Sequence, residues 1–125
     1  VQTYPDQFEA AYNLGLLLAE MNRIEDAVEY LGQASEGFPG RARVHYNYGL
    51  ALQAVARLEQ AETALLQALD GEPENPDVLF ALGDHYLRRG DGARALEMAD
   101  RLLSVSPGNP QGQRLKAAAE QALGR

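Results

Sequence analysis

The chain has 125 residues, no cysteine, and eighteen acidic against eleven basic side chains, for a formal charge of -7. That length gives one compact core burying about two thirds of the surface its unfolded chain exposes, and the acidic balance disfavours nucleic acid or an anionic lipid surface as a partner. Without cysteine there is no disulfide, thiolate nucleophile or sulfur metal site, and the compartment stays open between cytoplasm and periplasm.

From Phe8 to Met21 apolar residues fall at Phe8, Ala11, Leu14, Leu17, Leu18 and Met21, the three-and-four spacing of one helical stripe. The longest apolar run, Leu14 to Ala19, is far short of the roughly 20 residues that cross a bilayer, so no membrane insertion is expected. Asn22 and Arg23 interrupt the stripe. Ile24, Ala27, Val28, Leu31 and Ala34 resume it until Gly37 and Pro39 end it, which predicts a second helix packed back on the first.

Val44, Tyr48, Ala51, Leu52 and Val55 predict a third helix, and Leu58, Ala61, Leu65, Ala68 and Leu69 a fourth, closed by Gly71 and Pro73. Asn75 before Pro76 then supplies a side-chain cap followed by a residue whose missing N–H is harmless at a helix start. Asn109 and Pro110 repeat that device before the last segment, Pro110 to Leu123. There Leu115, Ala118, Ala119 and Ala122 are apolar, while Gln113, Lys116 and Glu120 take places where earlier copies face a hairpin partner. This predicts a capping helix with a wet outer face.

A single step of 34 residues links Gly15, Gly49 and Gly83, then Ala27, Ala61 and Ala95, then Pro5, Pro39, Pro73 and Pro107. Such a hairpin cannot bury its apolar face alone and must stack on copies of itself. The register of Pro5, and a chain beginning at Val1, lead us to expect a fragment in which another repeat came first. Lys116 is the only lysine, a bias expected of a GC-rich bacterial source.

With Tyr12 to Gly15, Tyr46 to Gly49 and Phe80 to Gly83 reading Tyr-Asn-Leu-Gly, Tyr-Asn-Tyr-Gly and Phe-Ala-Leu-Gly, and with the alanine and proline that follow each, the chain resembles the tetratricopeptide repeat family over nearly its whole length. The resemblance implies an all-α fold, a right-handed superhelical solenoid of three antiparallel helix pairs plus a capping helix. It also implies one domain over residues 1–125, with repeats at about 8–41, 42–75 and 76–109 and a cap at about 110–123. Two departures fall in the third copy. Leu31 with Ala34, and Leu65 with Ala68, become Ala99 with Leu102, an exchange expected to conserve core volume. Gly92 replaces Ile24 and Leu58, and with Gly90 nearby it predicts the loosest corner of the array.

The resemblance implies that first helices line a concave groove in which peptides lie. Counted from each glycine, that groove contains Tyr12, Tyr46 and Phe80, the amides of Asn13 and Asn47, Leu16 and Leu50 with Asp84, and Arg43, Leu87 and Arg88. Aromatic and leucine side chains there bury apolar groups of an extended segment, and amides donate to and accept from its main chain. One subset of the family clamps a C-terminal carboxylate with lysine, asparagine and arginine. The matching places here hold Tyr12, Leu16, Asn47, Asp77 and Ala81, so only the asparagine agrees. Glu9, Glu20, Asp77 and Asp84 also outnumber Arg43 and Arg88, which disfavours an acidic tail.

His45 and His85 have neither cysteine nor a suitably spaced carboxylate, so structural roles are expected and no metal or cofactor. No phosphate loop or nucleophile elbow is present, and an enzyme is not expected. The leading expectation is a protein-interaction module for a peptide or protein segment. The alternative is a structural spacer or self-association arm of a larger protein, with homodimerisation through the uncapped N-terminal repeat.

Overall fold

The structure, a computed structural model, describes residues 4–125, with side chains from Asp6 onward. Among the described residues there are seven α-helices and no strand: α1 Tyr4–Glu20, α2 Ile24–Gly37, α3 Ala42–Ala54, α4 Leu58–Gly71, α5 Pro76–Arg88, α6 Gly92–Val105 and α7 Pro110–Ala122. The chain divides into two compact units, the first ending at Gly71 and the second beginning at Glu72.

In the first unit α1 packs on α2, α2 on α3 and α3 on α4. Each helix is too short and too mixed in composition to be stable alone, so its apolar stripe must be covered by a neighbour. Leu18, Ala27, Val28, Leu31, Ala51, Leu52, Ala61 and Ala64 form the core, and each fully buried leucine contributes about 1.5–3 kcal/mol of hydrophobic stabilisation. The periodic glycines mark where helices touch. A Cβ on Gly15 would stand 2.7 Å from Leu31 Cδ2 and 3.2 Å from its backbone N, and one on Gly49 would stand 2.7 Å from Leu65 Cγ.

Two expectations for α1 are corrected. It begins at Tyr4, ahead of the predicted start, which places Pro5 in the first helical turn instead of in a turn between helices. Its apolar residues also do not form one buried stripe. Ala11, Gly15 and Leu18 are buried, whereas Leu14, Leu17 and Met21 are 38%, 52% and 55% exposed.

In the second unit α5 packs on α6, and α7 covers both. Asn75 accepts from Asp77 N at 2.8 Å, and Asn109 from Gln111 N at 2.9 Å and Gly112 N at 3.1 Å, so both predicted caps are formed. The exchange of Ala99 and Leu102 is compensated differently from expectation. Leu31 and Leu65 fill the space over the glycines of their own pairs, but a Cβ on Gly83 meets Leu115 of α7. The volume lost at Ala99 is restored by the capping helix. Leu115 and Ala119 are buried, and the part-exposed Lys116 reaches Asp100 of α6 at 3.2 Å.

The ends of α1, α3, α5 and α7 share one geometry. Asn22, Ala56, Gly90 and Gly124 have φ of 62°, 62°, 76° and 77°, and the following amides of Arg23, Arg57, Asp91 and Arg125 donate back to Leu18, Leu52, Tyr86 and Glu120. These are left-handed helix ends with their last carbonyls satisfied. The Gly90 corner, expected to be the loosest, has the same turn geometry as the other two. Gly90 supplies the residue best suited to that φ, Asp91 accepts from Arg94 N at 3.0 Å, and Gly92 is buried beside Ala122 and Leu123.

Candidate functional site

The predicted binding residues of the first unit stand on α1 and α3. Tyr12, Leu16, Tyr46, Asn47 and Leu50 are half-buried, and Asn13 and Arg43 are exposed. Asn47 joins the two helices: its Nδ2 donates to the Tyr12 hydroxyl at 2.8 Å and to the Arg43 carbonyl at 3.1 Å. The carbonyl can only accept, which fixes the orientation of the amide. Asn47 therefore has no N–H left for a ligand, contrary to the expectation that it both donates and accepts. Its Oδ1 still offers acceptor capacity, and the Tyr12 hydroxyl, itself an acceptor in this bond, retains a proton to donate.

The rings have polar neighbours. Arg43 lies with its guanidinium carbon 5.9 Å from the centre of the Tyr46 ring. Leu16 and Tyr12 pack against the core cluster from its edge, which holds their positions while part of each stays in solvent.

Arg41, which has no place in the repeat's predicted binding rows, joins this unit's contacts. It donates to Glu9 Oε1 at 2.8 Å, and its guanidinium carbon stands 3.8 Å from the centre of the Phe38 ring, which in turn meets Phe8 edge to face. A second bridge of the same kind runs from Arg57 to Glu25 at 2.8 Å. Both span 32 residues, two short of the repeat, so a search at the repeat period passes over them. Glu9 is thus paired in this unit with Arg41.

In the second unit the predicted residues lie on α5. Phe80 and Leu87 are half-buried, two helical turns apart, and Asp84 accepts from Arg88 Nε at 2.9 Å. That pair neutralises itself. Ala81, which replaces the asparagine of the other copies, is buried, so this row offers no amide.

Both histidines lie in the interior. His45 is 2% exposed, with Nε2 2.7 Å from the Pro39 carbonyl and Nδ1 3.0 Å from Ser35 Oγ. The carbonyl requires the proton on Nε2, so Nδ1 accepts from the serine, and the ring links α2, α3 and the turn between them. His85 is fully buried with its ring edge-to-face with Tyr86. Among the described residues no three His, Asp, Glu or Cys side chains come together as a metal site, and no helix is long and apolar enough to cross a membrane. A depression of 410 Å³ in the first unit has Gly32, Ser35, Glu36, Tyr48 and Arg57 among its walls, and none of the predicted binding residues lines it.

Solved structures share this fold. A crystal structure of MamA superposes with a TM-score of 0.90 at 23% identity, over 96% of this chain and 70% of that one. The first TPR of Spaghetti (RPAP3), bound to the HSP90 peptide SRMEEVD, gives 0.88 at 14% identity over 96% and 95%. YrrB, described as a TPR protein with an unusual peptide-binding site, gives 0.84 at 22% identity over 89% and 57%. Among curated proteins compared by sequence, none matches. Two family models described as tetratricopeptide repeat match residues 12–54 and 52–119. With paired helices, small residues at their contacts and models that together span most of the sequence, the chain belongs to the tetratricopeptide repeat family.

Proposed function

We propose that the chain is a peptide-binding module whose site in the first unit is formed by Tyr12, Asn13, Leu16, Arg43, Tyr46, Asn47 and Leu50. The observation that carries this reading is the Asn47–Tyr12 hydrogen bond. It holds an acceptor and a donor side by side between α1 and α3, beside half-buried Tyr46 and Leu50, a combination suited to a peptide's N–H, C=O and one apolar side chain. Structural neighbours that hold peptides support the class of ligand. The residues argue for an internal segment in place of a free acidic C-terminus, because the clamp positions hold Tyr12, Leu16, Asp77 and Ala81. In the second unit we assign Phe80, Asp84, Leu87 and Arg88 to the same role. We infer binding in place of catalysis, since the serine–histidine contact of Ser35 with His45 is a part-buried link between helices.

The test is a display selection of random peptides on the wild-type chain, followed by titration of a selected peptide against Tyr46→Ala and Asn47→Ala. Loss of about 1–2 kcal/mol from each is expected, the usual size for an anchoring ring or a polar contact in an interface. Equal affinity for wild type and both folded variants would remove the site from α1 and α3.

The second reading, a spacer or self-association arm, draws on the exposure of Leu14, Leu17 and Met21. Two copies joined through this face would bring Asp6 and Glu20 of one near the same carboxylates of the other, offset only by Arg23 just beyond the end of α1, which already holds Asp26. It stands second for that reason.

A further inference from the structure

The 410 Å³ depression of the first unit lies where α2 meets Tyr48 of α3, and its volume is within the range of small-molecule sites. A glycine makes room for it. Shifted by the 34-residue period, Gly32 becomes Leu66 and then Asp100, so the other copies carry a side chain where this one has none. A Cβ on Gly32 would stand 3.2 Å from the Tyr48 hydroxyl, and a glycine inside a helix otherwise weakens it.

The ends of the depression are rich in acceptors. Glu29 and Glu36 are exposed carboxylates seven residues apart, two helical turns or about 10.5 Å along α2. Among the described residues neither is paired with a cation. Ser35, beside Glu36, is made an acceptor by the interior. His45, itself buried, donates from Nε2 to the Pro39 carbonyl at 2.7 Å, so its Nδ1 takes the Ser35 proton at 3.0 Å. The serine oxygen has only lone pairs left to offer. Arg57 also lines the depression, but its guanidinium is already held 2.8 Å from Glu25. Between the two ends the wall is Val28 and the Tyr48 ring, which are apolar.

We propose that this depression binds a linear aliphatic polyamine. One terminal ammonium sits at Glu29, the other at Glu36 and Ser35, and the methylene chain lies over Val28 and Tyr48. An ammonium group only donates, which matches acceptors at both ends. One exposed carboxylate holds any amine weakly, whereas two at a fixed spacing select for length. None of the peptide-site residues on α1 and α3 lines the depression, so the two readings stand or fall on different side chains.

The test is isothermal titration calorimetry of the full chain with spermidine at about 0.15 M salt. Saturable binding is expected, at least about tenfold tighter than that of ethylenediamine, whose two ammonium groups are too close to reach both ends. Glu29→Gln and Glu36→Gln should each weaken spermidine about fivefold and narrow its advantage over the shorter amine. Both side chains are exposed, so circular dichroism of the variants should match wild type. Glu97→Gln on α6, the same change of charge outside the depression, should leave the affinity within about twofold.

Absence of saturable binding up to about 5 mM spermidine overturns the proposal. So does an equal loss from Glu97→Gln, which makes the attraction a property of the overall charge, and so does ethylenediamine binding as tightly as spermidine. A blocked dilysine peptide that binds more tightly than spermidine and is weakened by Glu29→Gln makes a basic protein segment the occupant, and overturns it too.

Discussion

Four residues carry the left-handed helix ends, and they differ in how well they suit that conformation. Gly90 and Gly124 adopt positive φ freely, Asn22 adopts it readily, and Ala56 pays the usual steric penalty of an L side chain at φ 62°. Ala56→Gly should therefore stabilise the chain by about 0.5–1 kcal/mol, the steric relief of about 1–2 kcal/mol being partly offset by the freer unfolded glycine. Gly90→Ala should lose about 1 kcal/mol at the equivalent place. Urea denaturation of the two variants checks both signs. Asn22 and Gly90 are ordinary turn residues in the sequence, but Ala56 gives no such signal, and its strain became visible only once the corners were compared in three dimensions. Asn47 makes a similar point. Its row was legible from the period, while the loss of its donor role to Tyr12 and Arg43 was not, because hydrogen-bond partners 35 residues apart follow no local rule.

At the scale of the helix, the third pair is built with its cap and not by itself. Leu115 occupies the space over Gly83 that Leu31 and Leu65 fill in the other pairs, opposite an alanine at position 99. Ala99→Leu, which restores the residue of the other copies, should destabilise by about 1–3 kcal/mol through overpacking. Leu115→Ala should lose about 2–5 kcal/mol by leaving a cavity, and the double variant should be less destabilised than the sum of the two. A thermodynamic cycle by chemical denaturation measures that coupling, and additivity would mean that the two side chains do not share one space. The corner between α5 and α6 belongs at this scale as well. With an Asp91 cap and Gly92 buried against α7, amides over residues 89–93 should exchange no faster than those at the corners after Asn22 and Ala56. Hydrogen exchange followed by NMR gives the ordering directly.

For the molecule as a whole, charge gives the plainest expectation. At -7, with exposed ion pairs such as Arg41–Glu9 and Arg57–Glu25 contributing little individually, the chain should show no retention on duplex DNA or phosphatidylserine vesicles at physiological salt. Cosedimentation with either checks it. The sequence by itself determined the helical pairs, the two asparagine caps, the buried alanines at 27, 61 and 95 and the existence of a capping helix, because the 34-residue period, helical spacing and cap chemistry are local properties that repetition amplifies. Only the tertiary structure decided which apolar residues are inside. Leu14, Leu17 and Met21 have the spacing of core residues and yet lie in solvent, since burial depends on whether another helix covers them, and helical spacing is the same either way.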